Sequence, residues 1–498
     1  MRFGWRRNAP NGGGGKPQPA SIRVALMLSG AQQYTNLLVT FPTIMILSRL
    51  LTPAQVGVYS VAVAFVNLVH MLRDFGTTEY LVQVKTLDRD TTRSAFTVTL
   101  LIAWSLAGVI FLASPLIADF FREPGLGSVL RILAITYLML PIGSTTSALL
   151  ARDMQFGIRY KINTTALFVQ NGLTIGLAWY GWGYYSPAWG AVAGMATTVS
   201  GCLYWGRHHR VRGVGLKQWR EVTRFGVKNT VGTIMNQLGE GAPDFVIGRL
   251  LGFSQVGMFS RGYGLVRMFN DNISGAIGAV SYSAFSQRHR DGESAGALFL
   301  RSITYITGVG WPFLGFASLM AFPIIRIFFG DQWDTAVPIL RFLALASALA
   351  LLVLQYQNFL TAIGRVGLAA LWMTAWQVIT IGALIGGAFV GVVAVAAALV
   401  PATAIAVAGV SIGLVVCTDI TIRDYLRALA PSAVLAAFAL TPAALLRIFL
   451  VPTPDNLWGP LVGAGALLVI GGLAGAWLAD HPLWREARAL LEKRRNFR

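Results

Sequence analysis

Long apolar runs separated by short polar breaks fill almost the whole chain. A helix needs about 20 predominantly apolar residues to cross a bilayer. Fourteen runs meet that requirement, at 26–48, 55–73, 94–118, 128–151, 162–182, 186–206, 227–249, 255–280, 299–323, 335–357, 366–388, 392–417, 428–450 and 458–479. The loops between them are too short to hold a soluble domain. The pattern predicts an all-α, polytopic membrane protein of about 14 transmembrane helices, ending in short tails at 1–23 and 480–498.

The chain also repeats itself. Residues 49–60, RLLTPAQVGVYS, match residues 249–260, RLLGFSQVGMFS, at seven of twelve positions with an offset of 200. Asn36 and Asn236 match at the same offset, and Leu130–Ala134 matches Leu340–Ala344 at an offset of 210. The repeat unit holds six spans. Because six is even, both copies enter the membrane in the same direction and are related by an axis along the membrane normal. The expected organisation is an N-lobe at 24–206 (spans 1–6), a basic linker at 207–226, a C-lobe at 227–417 (spans 7–12), and two extra C-terminal spans within 428–479.

Composition agrees and narrows the class. Of 498 residues, 55% are hydrophobic and 12% charged, with a mean hydropathy of +0.60. An ordinary soluble domain carries about 25% charged residues. The net charge of +19 does not require nucleic acid. With both termini cytoplasmic, 31 of the 40 Lys and Arg fall on the inner side and seven in outer loops, as topogenic charge does. Trp179, Tyr180, Trp182, Tyr184, Tyr185 and Trp189 cluster at an outer turn, where interfacial aromatics are favoured. The basic C-terminal tail is expected to lie on anionic phospholipid, with other assembly proteins as a second kind of partner. Cys202 and Cys417 are expected to be small buried residues. His208, His209, His289 and His481 are expected in cytoplasmic loops without Cys or carboxylates at ligand spacing, and no metal site and no catalytic set is expected.

Arg49-Leu50-Leu51-Thr52-Pro53, Gly57-x-Tyr59, Asp74-Phe75-Gly76 and Leu81-Val82-Gln83 together resemble the opening of Wzx-type polysaccharide flippases, in the multidrug/oligosaccharidyl-lipid/polysaccharide exporter superfamily. The resemblance implies fourteen spans in two six-helix lobes. It also implies transfer of undecaprenyl-pyrophosphate-linked oligosaccharide from the cytoplasmic to the periplasmic leaflet of a bacterial inner membrane. A cation-coupled multidrug exporter of the same superfamily and a lipid II flippase are the alternatives; a membrane polysaccharide polymerase would need a larger outer loop. The second copy has Gly252-Phe253 in place of Thr52-Pro53, which favours a structural turn for that motif.

Charges inside spans carry the candidate chemistry, because an ionisable group in the bilayer interior is costly. Span 7 has Glu240 and Asp244; span 8 has Arg261, Arg267 and Asp271. Counted from the short turn joining these antiparallel helices, Asp244 matches Arg261 in depth and Glu240 matches Arg267, so two ion pairs are geometrically allowed. The alternative role is substrate binding. Arg261 or Arg267 would fork onto a pyrophosphate, and Glu240 or Asp244 would bind a coupling proton or sodium ion. The first lobe has Val61, Asn67, Thr40 and Ile44 at the equivalent positions. His70 is that lobe's own candidate for phosphate or proton, and Asn36 and Asn236 are further polar candidates for the substrate. Pro42 in span 1 and Pro243 in span 7 are candidate hinges.

Overall fold

The computed structural model describes residues 22–74, 77–84, 87–209, 213–220, 223 and 239–495. The described residues form helices and turns. In chain order these are α1 (Ile22–Leu50), α2 (Pro53–Asp74), α3 (Thr77–Gln83), α4 (Arg89–Phe121), α5 (Pro124–Arg152), α6 (Phe156–Trp179), α7 (Tyr185–Trp205), α8 (239–250), α9 (Phe253–Arg290), α10 (Gly296–Leu319), α11 (Ala321–Phe329), α12 (Ala336–Ala350), α13 (Tyr356–Ala362), α14 (Val366–Ala388), α15 (Val392–Cys417), α16 (Ile422–Phe449), α17 (Trp458–Leu478) and α18 (Pro482–Arg495). Every one of the fourteen expected spans coincides with a described helix, the seventh through its second half only.

Eight stretches pass a length-and-hydropathy test for crossing a membrane: α2, α4, α5, the α12–α13 unit, and α14 to α17. The ninth expected span is broken. α10 and α11 meet at 77°, so the chain turns near Met320 instead of running straight to 323. Helices α1, α6, α7 and α9 are not among them; each carries polar residues within its length. Leu112, Leu116, Ile448, Phe449 and Trp477 are exposed, as lipid-facing side chains are.

Helices α1 to α7 pack mainly against one another, through α1–α6, α6–α7, α5–α7 and α4–α5. The later helices pack among themselves through α9–α12, α12–α15, α14–α15 and α10–α16, and α17 lies on α16. The two groups meet chiefly where α2 crosses α9. The duplicated segment is that crossing. Ser60 donates to Ser260 at 3.3 Å, joining residues related by the repeat offset itself. A Cβ at Gly57 would overlap the Phe253 carbonyl oxygen, and a Cβ at Gly257 would overlap that of Pro53. These contacts are mirror images across the repeat. Val61, Val256 and Phe259 are buried beside them.

The same end of the bundle is tied by aromatic and polar contacts. Phe65 packs on Phe245 at 4.5 Å and Phe41 on Phe328 at 5.1 Å between ring centroids. Arg49 donates to the Ile327 carbonyl at 2.8 Å. Gln332 Nε2 and Trp333 Nε1 both donate to the Ser48 carbonyl, at 2.6 and 2.8 Å.

At the opposite end, part of the expected linker folds back on the start of α4. Lys217 pairs with Asp90 at 2.8 Å, and the Gln218 N–H donates to Ser94 at 3.1 Å. The Thr91 hydroxyl and N–H hold the Asp88 carboxyl below the usual carboxylate range at that helix start. The C-terminal tail differs from expectation near its start, at His481. His481 is fully buried instead of lying in an open loop: it shares a hydrogen bond of 3.2 Å with Ser432 of α16, and burial pushes its pKa down. The same docking holds α18 to α10 through Glu486, which accepts from Tyr305 and pairs with Arg301 at 3.5 Å. Cys202 is buried, whereas Cys417, at the end of α15, is only half-buried.

The crossing makes a prediction whose sign is diagnostic. An exposed helical Gly→Ala change stabilises by about 1 kcal/mol. Gly57→Ala and Gly257→Ala should instead destabilise by about 1–3 kcal/mol, as overpacking does. Gly108→Ala, where a Cβ meets open space, should not. The melting midpoint of the purified protein in detergent separates these outcomes.

Candidate functional site

Below the crossing, the two helix groups separate around a chain of cavities with shared walls. One, of about 470 Å³, lies within the first group among α1, α2, α5, α6 and α7. A second, also of about 470 Å³, lies between α1 and α9. Gln33 and Asn36 line both. A third, of about 150 Å³, joins α2, α8 and α9, shares Tyr59 with the first and Arg267 with the second, and contains Glu240 and Asp244. A fourth, of about 230 Å³, continues from Gln32 and Gln33 to Phe156 and Arg159 near the starts of α1 and α6.

The polarity of these helices follows from the cavities. Gln32, Asn36 and Thr40 recur every four residues along α1 and form one stripe, as i,i+4 positions do. Thr40 donates to Asn36 at 3.2 Å within that stripe. A helix with such a stripe is stable in a membrane only where the stripe faces protein or a water-filled cavity.

Arg267 is the hub of the charged region. It donates to Glu240 at 2.8 Å, as depth counting anticipated, and pairs with Asp271 one turn along at 3.5 Å. Its side chain remains 43% exposed, so the guanidinium faces the cavity while held between two carboxylates. The expected pairing of Asp244 with Arg261 does not form. Asp244 lies instead in the field of Arg267. Arg261 turns toward α11 and the turn after it, with its guanidinium carbon 5.1 Å from the Trp333 ring centroid and 5.6 Å from that of Phe329. Its Nε is buried without a hydrogen-bond partner. Depth alone does not fix which face of a helix a side chain takes, and Trp333 lies 72 positions further along the chain.

The other expected site residues fall as follows. His70 lines the first cavity and packs against Tyr137 at 5.0 Å. Asn36 stands on the shared wall. Asn236 lies outside the described residues. Pro42 lies within α1 and Pro243 within α8, between the two carboxylates. Reasoning from charge passed over Trp333, Tyr59, Arg159, Gln32 and Gln33 of α1 and the amides of α6. A search for polar residues at helical spacing within apolar runs would have found the amides.

Comparison with known proteins then decides the family. The family described as Polysaccharide biosynthesis protein matches residues 46–338, more than half the chain. The chain belongs to that family. It is 26% identical over 351 residues to the succinoglycan biosynthesis transport protein ExoT of Rhizobium meliloti (strain 1021), covering 70% of this chain and 71% of that protein. It is 22% identical over 306 residues to the lipopolysaccharide biosynthesis protein WzxC of Escherichia coli (strain K12), covering 61% and 62%. Among solved structures, the lipid II flippase MurJ in an inward closed conformation superposes with a TM-score of 0.71 at 15% identity, over 93% of this chain and 99% of that one. An inward-facing multidrug resistance MATE family transporter gives 0.56 at 16% identity, over 83% and 96%. At these identities the superpositions establish the shared fold. The relatives and the fold place this chain among transport proteins, not enzymes.

A double-mutant cycle tests the hub. Arg267→Met alone leaves Glu240 without its cation, and Glu240→Gln alone leaves Arg267 with Asp271. The pair should be less destabilised than the sum of the singles, with a coupling of about 1 kcal/mol or more. Thermal unfolding of the four proteins measures it.

Proposed function

We propose that this protein is a flippase that moves an oligosaccharide unit on undecaprenyl pyrophosphate from the cytoplasmic to the periplasmic leaflet of a bacterial inner membrane. The observation that carries the proposal is the charged cavity between the two helix groups, with Arg261 and Arg267 on one wall. Guanidinium groups remain charged at any physiological pH and present forked donors to phosphate oxygens. Arg261 has an uncommitted Nε, and Arg267 is oriented by Glu240. The pyrophosphate sits between them while the prenyl chain stays in lipid. His70, Asn36 and Asn236 serve as further polar contacts to the headgroup. The printed names of the relatives, one a transport protein of succinoglycan biosynthesis and the other a protein of lipopolysaccharide biosynthesis, support this cargo class.

In this proposal residues 24–206 and 227–417 act as two lobes that rock against each other, the α2–α9 crossing parting as one side opens, and both termini are cytoplasmic. The crossing then closes the periplasmic side. Pro42 and Pro243 act as hinges, and Glu240 or Asp244 takes up a proton or sodium ion that couples the cycle. The α18 helix rests on anionic phospholipid. A multidrug exporter of cationic compounds would call for an acidic, aromatic cavity; here guanidinium groups and carboxylates are mixed, and the names of the relatives favour the lipid-linked cargo. Lipid II shares the pyrophosphate chemistry and is distinguished by its sugar and peptide.

Two experiments test the proposal. A bacterium lacking its own polysaccharide flippase should regain surface polysaccharide with the wild-type protein. Arg261→Ala or Arg267→Ala at equal expression should lower that recovery at least about tenfold, the loss expected when a charge-assisted contact is removed. Full activity in both variants would remove the phosphate role. Second, after replacement of Cys202 and Cys417, the pair Ser60→Cys and Ser260→Cys should cross-link under oxidation, since the two hydroxyls already touch. Cross-linking should stop transport and reduction should restore it. Undiminished transport in the cross-linked protein would sink the rocking mechanism.

A further inference from the structure

The cavity within the first lobe differs in chemistry from the charged one beside it. Among the described residues, no Asp, Glu, Lys or Arg lines it. Its polar groups are mainly carboxamides: Gln32 and Gln33 on α1, and Asn163 and Gln170 on α6. None of these four amides makes a side-chain hydrogen bond within the described residues. Gln33 is exposed and Gln32, Asn163 and Gln170 are half-buried, so their amide groups face the open cavity and are free to bond a ligand or water there. Thr164, also on the wall, has a buried hydroxyl with no partner. Gly194 of α7 leaves space for Gln170, since a Cβ there would come within 2.8 Å of the Gln170 Oε1.

We infer that this cavity is a subsite for neutral sugar, occupied by the first residues of the glycan while the pyrophosphate lies against Arg261 and Arg267. The inference rests on the flippase proposal and divides the cargo between the lobes. Each carboxamide offers an acceptor oxygen and two donor hydrogens, which matches sugar hydroxyls that both donate and accept. A cationic drug would call for carboxylates, and a second phosphate for guanidinium or ammonium groups; this wall has neither. At about 470 Å³ the cavity falls within the roughly 300–1,000 Å³ of small-ligand pockets. It shares Gln33 and Asn36 with the charged cavity, so one headgroup reaches both without leaving the water-accessible path. The geometry also accounts for the unequal halves of the duplication. The second lobe gained charges for the invariant phosphate, and the first kept neutral hydrogen-bonding groups for the variable part of the cargo.

Binding of the full-length protein in nanodiscs distinguishes the two claims. The probes are undecaprenyl pyrophosphate alone and the same lipid carrying one glucose, galactose or N-acetylglucosamine. With wild type, at least one glycosylated lipid should bind about tenfold tighter than the sugar-free lipid, the gain of one or two net hydrogen bonds. Asn163→Leu with Gln170→Met should erase that gain while changing sugar-free affinity by less than about twofold. Arg261→Ala should weaken both lipids. If the α6 pair fails to fold, Gln32→Met on α1 makes the same comparison. A wild type that binds all four lipids equally, or a gain that survives the amide variants, overturns the sugar subsite and leaves the phosphate site standing. A wild type that does not bind sugar-free lipid overturns the flippase proposal itself, and this inference with it.

Discussion

The close approach of α2 and α9 sets the rest of the structure. Two copies of one segment meet there, and each copy places a glycine against a backbone carbonyl of the other. Without side chains at 57 and 257 the helices come near enough for Ser60 to reach Ser260. That contact brings the turn at Asp331–Trp333 under the end of α1, where Trp333 is fully buried and bonded to Ser48. Trp333 in turn supports the guanidinium of Arg261. The position of the most isolated cation in the cavity therefore depends on a glycine contact and a tryptophan from different parts of the chain.

Lipid explains why polarity is distributed as it is. With no water in the hydrocarbon region, a polar side chain must face protein or a hydrated cavity. The four helices with the weakest membrane signal, α1, α6, α7 and α9, are all cavity walls. Their polar residues are accommodated because they face cavities in place of lipid. The duplication supplied a symmetric frame, and the chemistry within it became unequal. Val61, Asn67 and Thr40 stand where the second copy has Arg261, Arg267 and Glu240.

The C-terminal helix shows the same economy. His481 reaches into the protein between Ser432 and Gly308, where a Cβ would not fit. It joins α16, α10 and the start of α18 at a single buried point. The amphipathic helix is thus fixed at its start, and along it Arg485 pairs with Asp480 and Arg488 with Glu492.

The sequence by itself determined the all-helical membrane class, the approximate number of spans, the repeat, and the relative level of charges on neighbouring helices. Hydrophobic length reports depth directly, and an antiparallel pair joined by a short turn makes depth comparable between neighbours. The Glu240–Arg267 pair was legible for that reason. Tertiary structure alone decided the azimuth of each side chain and its distant partners. Arg261 has the depth to meet Asp244, yet it faces Trp333, because α11 folds back at a break that apolar composition conceals. The amide wall was hidden similarly: Gln32 and Gln170 lie in different spans, and only the packing of α1 on α6 brings them to one cavity. A nearly uniform apolar helix has many equivalent faces in sequence, and non-neighbouring helices choose among them.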